Sequence, residues 1–124
     1  MINFCEITRH CYEYNKQRNQ SMWALEYCRE IKDRPEIRKL ITGSATAYHY
    51  CFFVRDDPEV RKYITSPTRA YFYCRHIKDR PEVRKYITDS LSAYCYCTEV
   101  KDRPEVRKLM NSDDLEAYIW WKNE

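Results

Sequence analysis

Glycine is almost missing from this chain. Gly43 is the only one among 124 residues, so no glycine-rich loop exists to bring backbone amides around a phosphate. An excess of charge of one sign is missing too: 22 Lys and Arg stand against 19 Asp and Glu, for a net charge of +3. That balance sets the chain apart from strongly basic nucleic-acid-binding proteins. An aromatic content of 15% sets it apart from disordered ones. No apolar run approaches the ~20 residues that cross a bilayer, so no membrane partner is expected. No nucleophile, base and orienting group can be assembled from the spacings present. Neither an enzyme nor a cofactor is expected.

Cysteine is not scarce, but its pattern excludes a disulfide scaffold. The count of seven is odd, and nothing resembling a secretory leader precedes the bulk of the chain. Cys5, Cys28, Cys51, Cys74 and Cys97 recur at one interval, which in a stacked array places them at least ~8–10 Å apart. A disulfide needs Cα atoms within roughly 7 Å. Small buried thiols in a reduced, cytoplasmic protein are the expectation. The pairs His49/Cys51, Cys74/His76 and Cys95/Cys97 are two residues apart and diverge on a helix, whereas metal ligands on one helix face sit three or four apart. No metal site is expected.

What the chain does have is repetition. The phrase Ala-Leu-Glu-Tyr-Cys-Arg-Glu-Ile-Lys-Asp-Arg-Pro-Glu-Ile-Arg-Lys begins at Ala24 and restarts in near-copy at Ala47, Ala70 and Ala93, a period of 23 residues. Pro35, Pro58, Pro81 and Pro104 keep the same beat. A fixed period in this range marks a repeat array, which offers extended surfaces rather than deep pockets.

The third copy predicts the fold of each unit. Ser66 and Pro67 form a helix start, hydroxyl cap followed by proline at the first position. Ala70, Tyr73, Cys74 and Ile77 then make one apolar helical stripe. Asp79, Arg80, Pro81 and Glu82 read as a second start, with Asp79 as N-cap in a variant capping box. Val83, Tyr86 and Ile87 give a second stripe. Two helices of about ten and eight residues are too short to be stable singly, so each must bury its stripe against its neighbours. The expected fold is all-α, an α-solenoid of four helix-turn-helix repeats at 21–43, 44–66, 67–89 and 90–112. A capping helix is expected at each end, at 1–20 and 113–124. In the last segment Ala117, Trp120 and Trp121 repeat the first-helix stripe after one inserted residue. Trp120 and Trp121 either fold back on the fourth repeat or offer an exposed end for homo-oligomerisation.

Ser66, Pro67, Ala70, Tyr73, Ile77, Lys78, Arg80, Pro81, Glu82 and Ile87 follow a pattern that resembles short tandem helical repeats in uncharacterised proteins of large DNA bacteriophages. The resemblance covers residues 21–112. It departs at Cys74, where the family usually has alanine, and at Arg80, which is followed directly by Pro81. It implies a phage or viral accessory protein acting in the host cytoplasm, one that binds and blocks a host factor such as a defence complex.

Departures among the copies point to where a partner would sit. The positions two, five and six past each repeat alanine face away from the stripe. They hold Glu26, Arg29 and Glu30, then His49, Phe52 and Phe53, then Phe72, Arg75 and His76, then Cys95, Thr98 and Glu99. His49, Phe52, Phe53, Phe72 and His76 therefore form a candidate aromatic interface across two repeats, unless neighbouring elements cover it. Asp57 replaces the arginine of the other copies and flips a charge beside it. The alternative is a nucleic-acid partner, tracked by Arg38-Lys39, Arg61-Lys62, Arg84-Lys85 and Arg107-Lys108. Against that stand Glu36, Glu59, Glu82 and Glu105, spaced to neutralise the lysines at i, i+3. Tyr48, Tyr71 and Tyr94 are the one tyrosine row expected to be partly exposed.

Overall fold

A computed structural model describes residues 20–123. The described residues fold into five long helices alternating with four single-turn helices: α1 (Gln20–Glu30), α2 (Pro35–Arg38), α3 (Ser44–Phe53), α4 (Pro58–Arg61), α5 (Pro67–His76), α6 (Pro81–Arg84), α7 (Ser90–Glu99), α8 (Pro104–Arg107) and α9 (Ser112–Lys122). Among the described residues there is no strand. Each long helix packs on the next, α1 on α3 and so on to α9, and on the short helix that follows it. This is the α-solenoid of helix hairpins that the period predicts. The cap expected at residues 1–20 lies outside the described residues except for Gln20, which begins α1. No helix among the described residues is long and apolar enough to cross a membrane.

The stripes drive the stacking. Ala24, Ala47, Ala70 and Ala93 are fully buried where successive long helices meet, and a side chain limited to Cβ lets the helices approach closely. Tyr27, Tyr50, Tyr73 and Tyr96 are buried one turn on, next to Cys28, Cys51, Cys74 and Cys97. Ile37, Val60, Val83 and Val106 cover them from the short helices. The cysteines are free thiols. Burial pushes Cys28 up to about 11 and Cys51 and Cys74 up to about 12, so all three stay protonated and inert near neutral pH.

Several local expectations change in three dimensions. The second helices are one α-turn of four residues rather than about eight. After that turn the ladder tightens to i→i−3 bonds, Tyr86 N–H to Val83 and Ile87 N–H to Arg84. In the first two copies the amides that follow are taken by a serine at the start of the preceding long helix. Ser21 Oγ accepts from Thr42 and Gly43 at 3.0 and 3.1 Å, and Ser44 Oγ accepts from Thr65 and Ser66 at 3.2 and 3.0 Å. The Ser66 cap forms as expected, accepting from Arg69 N–H. Asp79 does not cap: the N-cap residue is Arg80, without a side-chain bond. Tyr48 and Tyr71 are buried, and only Tyr94 of that row is partly exposed.

Asp79 is released from capping to join two repeats. Its carboxylate accepts from Arg84 Nε at 3.0 Å, from the Tyr96 hydroxyl at 2.7 Å and from Arg103 Nη2 at 3.1 Å. One repeat earlier, Asp56 accepts from Arg61 Nε at 3.0 Å, from the Tyr73 hydroxyl at 2.7 Å and from Arg80 Nη2 at 3.1 Å. Asp33 holds Arg38 through both oxygens at 3.1 Å and takes the Tyr50 hydroxyl at 2.8 Å. The hydroxyls of Tyr50, Tyr73 and Tyr96 thus each end on an aspartate that is also neutralised by arginine.

These clusters set a pH window. Burial alone would raise the carboxyls of Asp33, Asp56 and Asp79, but hydrogen bonds from tyrosine and arginine outweigh it and hold them below their ordinary value. Their contribution is present above the unfolded pKa, near 4, and is lost as pH falls through the folded one. Burial and then hydrogen bonding to the aspartates raise Tyr50 and Tyr73, and bring Tyr96 to about 12. Their contribution is full below the unfolded pKa near 10 and is lost above it. Urea midpoints should hold level between about pH 5 and 9 and fall on both sides. A midpoint unchanged down to about pH 3 would separate the aspartates from folding.

The last helix corrects the expected register. Tyr118, not Trp120 or Trp121, takes the buried tyrosine position, with the Asp102 carboxylate acting on its phenol and Leu115 partly buried beside it. Ala117 is exposed. The spacing has lost one residue rather than gained one, which turns the phenol toward Asp102 much as Tyr50, Tyr73 and Tyr96 stand against Asp33, Asp56 and Asp79. Lys122 Nζ, 2.8 Å from Asp102, stands in for the second arginine of the inner clusters.

Candidate partner-binding site

Helix α3 buries Ala47, Tyr50 and Cys51, which turns His49, Phe52 and Phe53 to the opposite side. Helix α5 does the same with Phe72 and His76, and α3 and α5 pack side by side. The five anchors expected from the sequence therefore share one face. Phe52 and Phe53 are 49% and 50% exposed, whereas Phe72 and His49 are half-buried. Their rings form a continuous cluster. Phe52 meets Phe53 edge-on at 4.9 Å, the Tyr48 ring lies 6.0 Å from Phe52 and 5.9 Å from Phe72, and Phe72 is 6.2 Å from His76. Such spacings suit aromatic pairs. Phe52 also lies 6.3 Å from His76, edge to face, which closes the ring cluster across the two helices.

The cluster encloses a hollow of about 230 Å³, below the roughly 300–1,000 Å³ of small-molecule sites. It has room for an anchoring side chain rather than a cofactor. Two cations frame it. Arg29 reaches from α1 to lie 4.1 Å over the Phe53 ring, and Arg69 sits 5.9 Å from Tyr48 and 5.7 Å from Phe72. Burial first, and then the charges of Arg69 and Arg29, push the His49 imidazole below its usual value, so it is neutral at physiological pH. Its Nε2 is buried without a hydrogen-bond partner.

Arg69 was not among the residues expected from the sequence, because only the outward positions after each alanine were compared. The signal lay one residue before the alanine, where the other copies carry Trp23, Thr46 and Ser92. Arg29, at an outward position of the first copy, covers Phe53.

Asp57 does not belong to this site. It is buried at the start of α4, accepts from Glu59 N–H at 2.8 Å and pairs with Arg38 and Arg55. Without an arginine at this position to reach Asp33, the repeat uses a carboxylate as helix cap instead.

The basic ladder divides in two. Arg38, Arg61 and Arg84 are committed to the internal aspartates, and Arg107 Nε lies 3.2 Å from Asp102. Lys39, Lys62, Lys85 and Lys108 are exposed. Of the expected i, i+3 pairs only Glu59–Lys62 forms, at 3.0 Å. Glu82 and Glu105 turn instead to arginines, Glu82 lying 3.4 Å from Arg61 and Glu105 3.9 Å from Arg103. A short side chain on a four-residue helix meets a nearby fork-shaped guanidinium, of its own or the preceding repeat, sooner than a flexible lysine.

At the other end of the array Trp120 and Trp121 are 67% and 45% exposed, with Ile119 at 50%. They do not fold back on the fourth repeat. Among the described residues no group of three or more His, Cys, Asp or Glu converges on a metal-sized site. Comparisons with family models, with curated proteins and with solved structures found no match to this chain, so its functional reading rests on the aromatic face itself.

Proposed function

We propose that this chain is a non-enzymatic protein-binding module whose partner docks on the α3–α5 face, anchored by Phe52, Phe53 and Phe72. The observation that carries this reading is the pair of half-exposed phenylalanines at the centre of a hollow lined by six rings, where the first repeat has charges at the same register. Apolar rings left in water at a rigid helical surface cost solvation that a partner recovers. Aromatic anchors surrounded by polar rim residues are also where interface energy concentrates.

The resemblance to phage repeat proteins supports a finer reading: a viral accessory protein that occludes a surface of a host factor, for example a defence complex, in the host cytoplasm. Nucleic acid is the weaker partner, since the ladder arginines would have to abandon partly buried carboxylates to reach phosphates. The test is a pull-down from nuclease-treated bacterial lysate with the native chain and with Phe52→Ser/Phe53→Ser. A protein retained by the native chain alone supports the module. Equal retention by both removes the face from consideration.

Exposed Trp120 and Ile119 favour a second reading, self-association through α9. Trp120→Ser/Trp121→Ser should then convert an oligomer to a monomer in light scattering. A native chain that is already monomeric across the concentration range ends that reading.

A further inference from the structure

Arg69 carries more information than its position on the rim. Every other arginine among the described residues has a carboxylate oxygen within 4.0 Å. Arg69 has none and leans on the Tyr48 and Phe72 rings instead. Arg29 is scarcely better served: among the described residues its carboxylate contact is a 3.8 Å approach to Glu30, with both side chains exposed. Pairs of that kind contribute little. Two weakly neutralised guanidinium groups therefore flank one aromatic floor, whereas the other described arginines each meet a carboxylate.

A second hollow, of about 540 Å³, adjoins the first. The two share His49, Phe53 and Arg69, and the larger opens toward Met22, Leu25 and Arg29. Together they make an extended track over α1, α3 and α5 with apolar walls and cations at two places. Building on the protein-binding reading above, we infer that this face takes an acidic peptide segment of its partner: one bulky apolar side chain seats among the rings, and flanking carboxylates pair with Arg69 and Arg29.

The chemistry favours carboxylates for a stated reason. A guanidinium stacked on a ring keeps its N–H edges free, and their fork matches a carboxylate in two parallel bonds. A nucleic-acid strand suits the face less well. Glu26 and Glu30 line the larger hollow, and Glu99 holds Arg75 at 3.4 Å nearby. A continuous run of phosphates would pass these carboxylates, whereas a peptide carries its charges at separate points.

Panning a random dodecapeptide display library on the immobilised chain tests the inference. Enriched sequences should pair Phe, Trp or Leu with neighbouring Asp or Glu. A fluorescein-labelled enriched peptide should bind Arg69→Thr about tenfold more weakly, the loss of one charged hydrogen-bonded contact, and should weaken with added salt. Threonine already occupies this register at Thr46, so the variant should keep the native melting temperature. Enrichment of neutral or basic peptides, no enrichment, full affinity for Arg69→Thr, or tighter binding of a labelled oligothymidine would each overturn it. The two readings separate through Phe52→Ser/Phe53→Ser. Non-acidic peptides lost in that variant would end the acidic specificity and keep the aromatic face as an interface. Peptides indifferent to it would end both.

Discussion

Replacing Asp56 by alanine should lower the melting temperature by roughly 10 °C. Asp56 accepts from Tyr73, Arg61 and Arg80, groups contributed by two successive repeats. Its removal leaves a buried phenol hydroxyl without an acceptor and two partly buried guanidinium groups without their main counter-charge. Breaking a buried ion pair in this way costs about 3–5 kcal/mol. The low end applies here, because Arg61 and Arg80 still reach Glu82 at 3.4 and 3.9 Å. For a chain of this size, each kcal/mol moves the midpoint by roughly 4 °C. Glu59→Ala provides the contrast, since it removes the exposed pair with Lys62 at a cost below about 1 kcal/mol. If thermal unfolding shows both variants shifted alike, the aspartate clusters do not hold the repeats together.

The second large effect is on binding. Phe52→Ser/Phe53→Ser should weaken a partner by at least about a thousandfold, two anchors at roughly 2 kcal/mol each or more. The fold should tolerate the change, because both rings are half in solvent and neither belongs to the buried core. Circular dichroism and the melting temperature would confirm that the loss is one of contact. Titration of the captured partner into both proteins gives the ratio directly. A ratio near one would place the partner elsewhere on the array. The accompanying change in heat capacity should also shrink in the variant, since less apolar surface would be buried on association.

Much of the architecture was legible because it is local. The 23-residue period, the Ala–Tyr–Cys stripe and the Ser66–Pro67 start depend on neighbours within one or two turns. The aromatic face followed from the same helical geometry, as Phe52 and Phe72 lie at known angles to buried Tyr50 and Tyr73. Asp79 shows where local rules stop. Beside a proline-initiated helix it reads as an N-cap, but its partners Tyr96 and Arg103 are 17 and 24 residues away. Only stacking brings them within reach. Asp57 shows the reverse case, a capping aspartate in the one copy where that reading appeared to be a surface charge.

Register at α9 and charge at the site were settled by the same long-range contacts. Sequence alone aligned Ala117, Trp120 and Trp121 with the repeat, since apolar periodicity cannot distinguish a tryptophan from a tyrosine that needs a hydroxyl partner. Tyr118 wins because Asp102 is waiting one repeat away. Likewise the arginines of the ladder are equivalent in the sequence to free cations, and only packing shows them spent on aspartates while Arg69 is left on an aromatic floor. Composition and period thus determined that the chain is a stack of helical hairpins, because backbone propensity and stripe burial act within a repeat. Tertiary structure decided which polar groups are satisfied and which remain available, because electrostatic pairing acts between repeats.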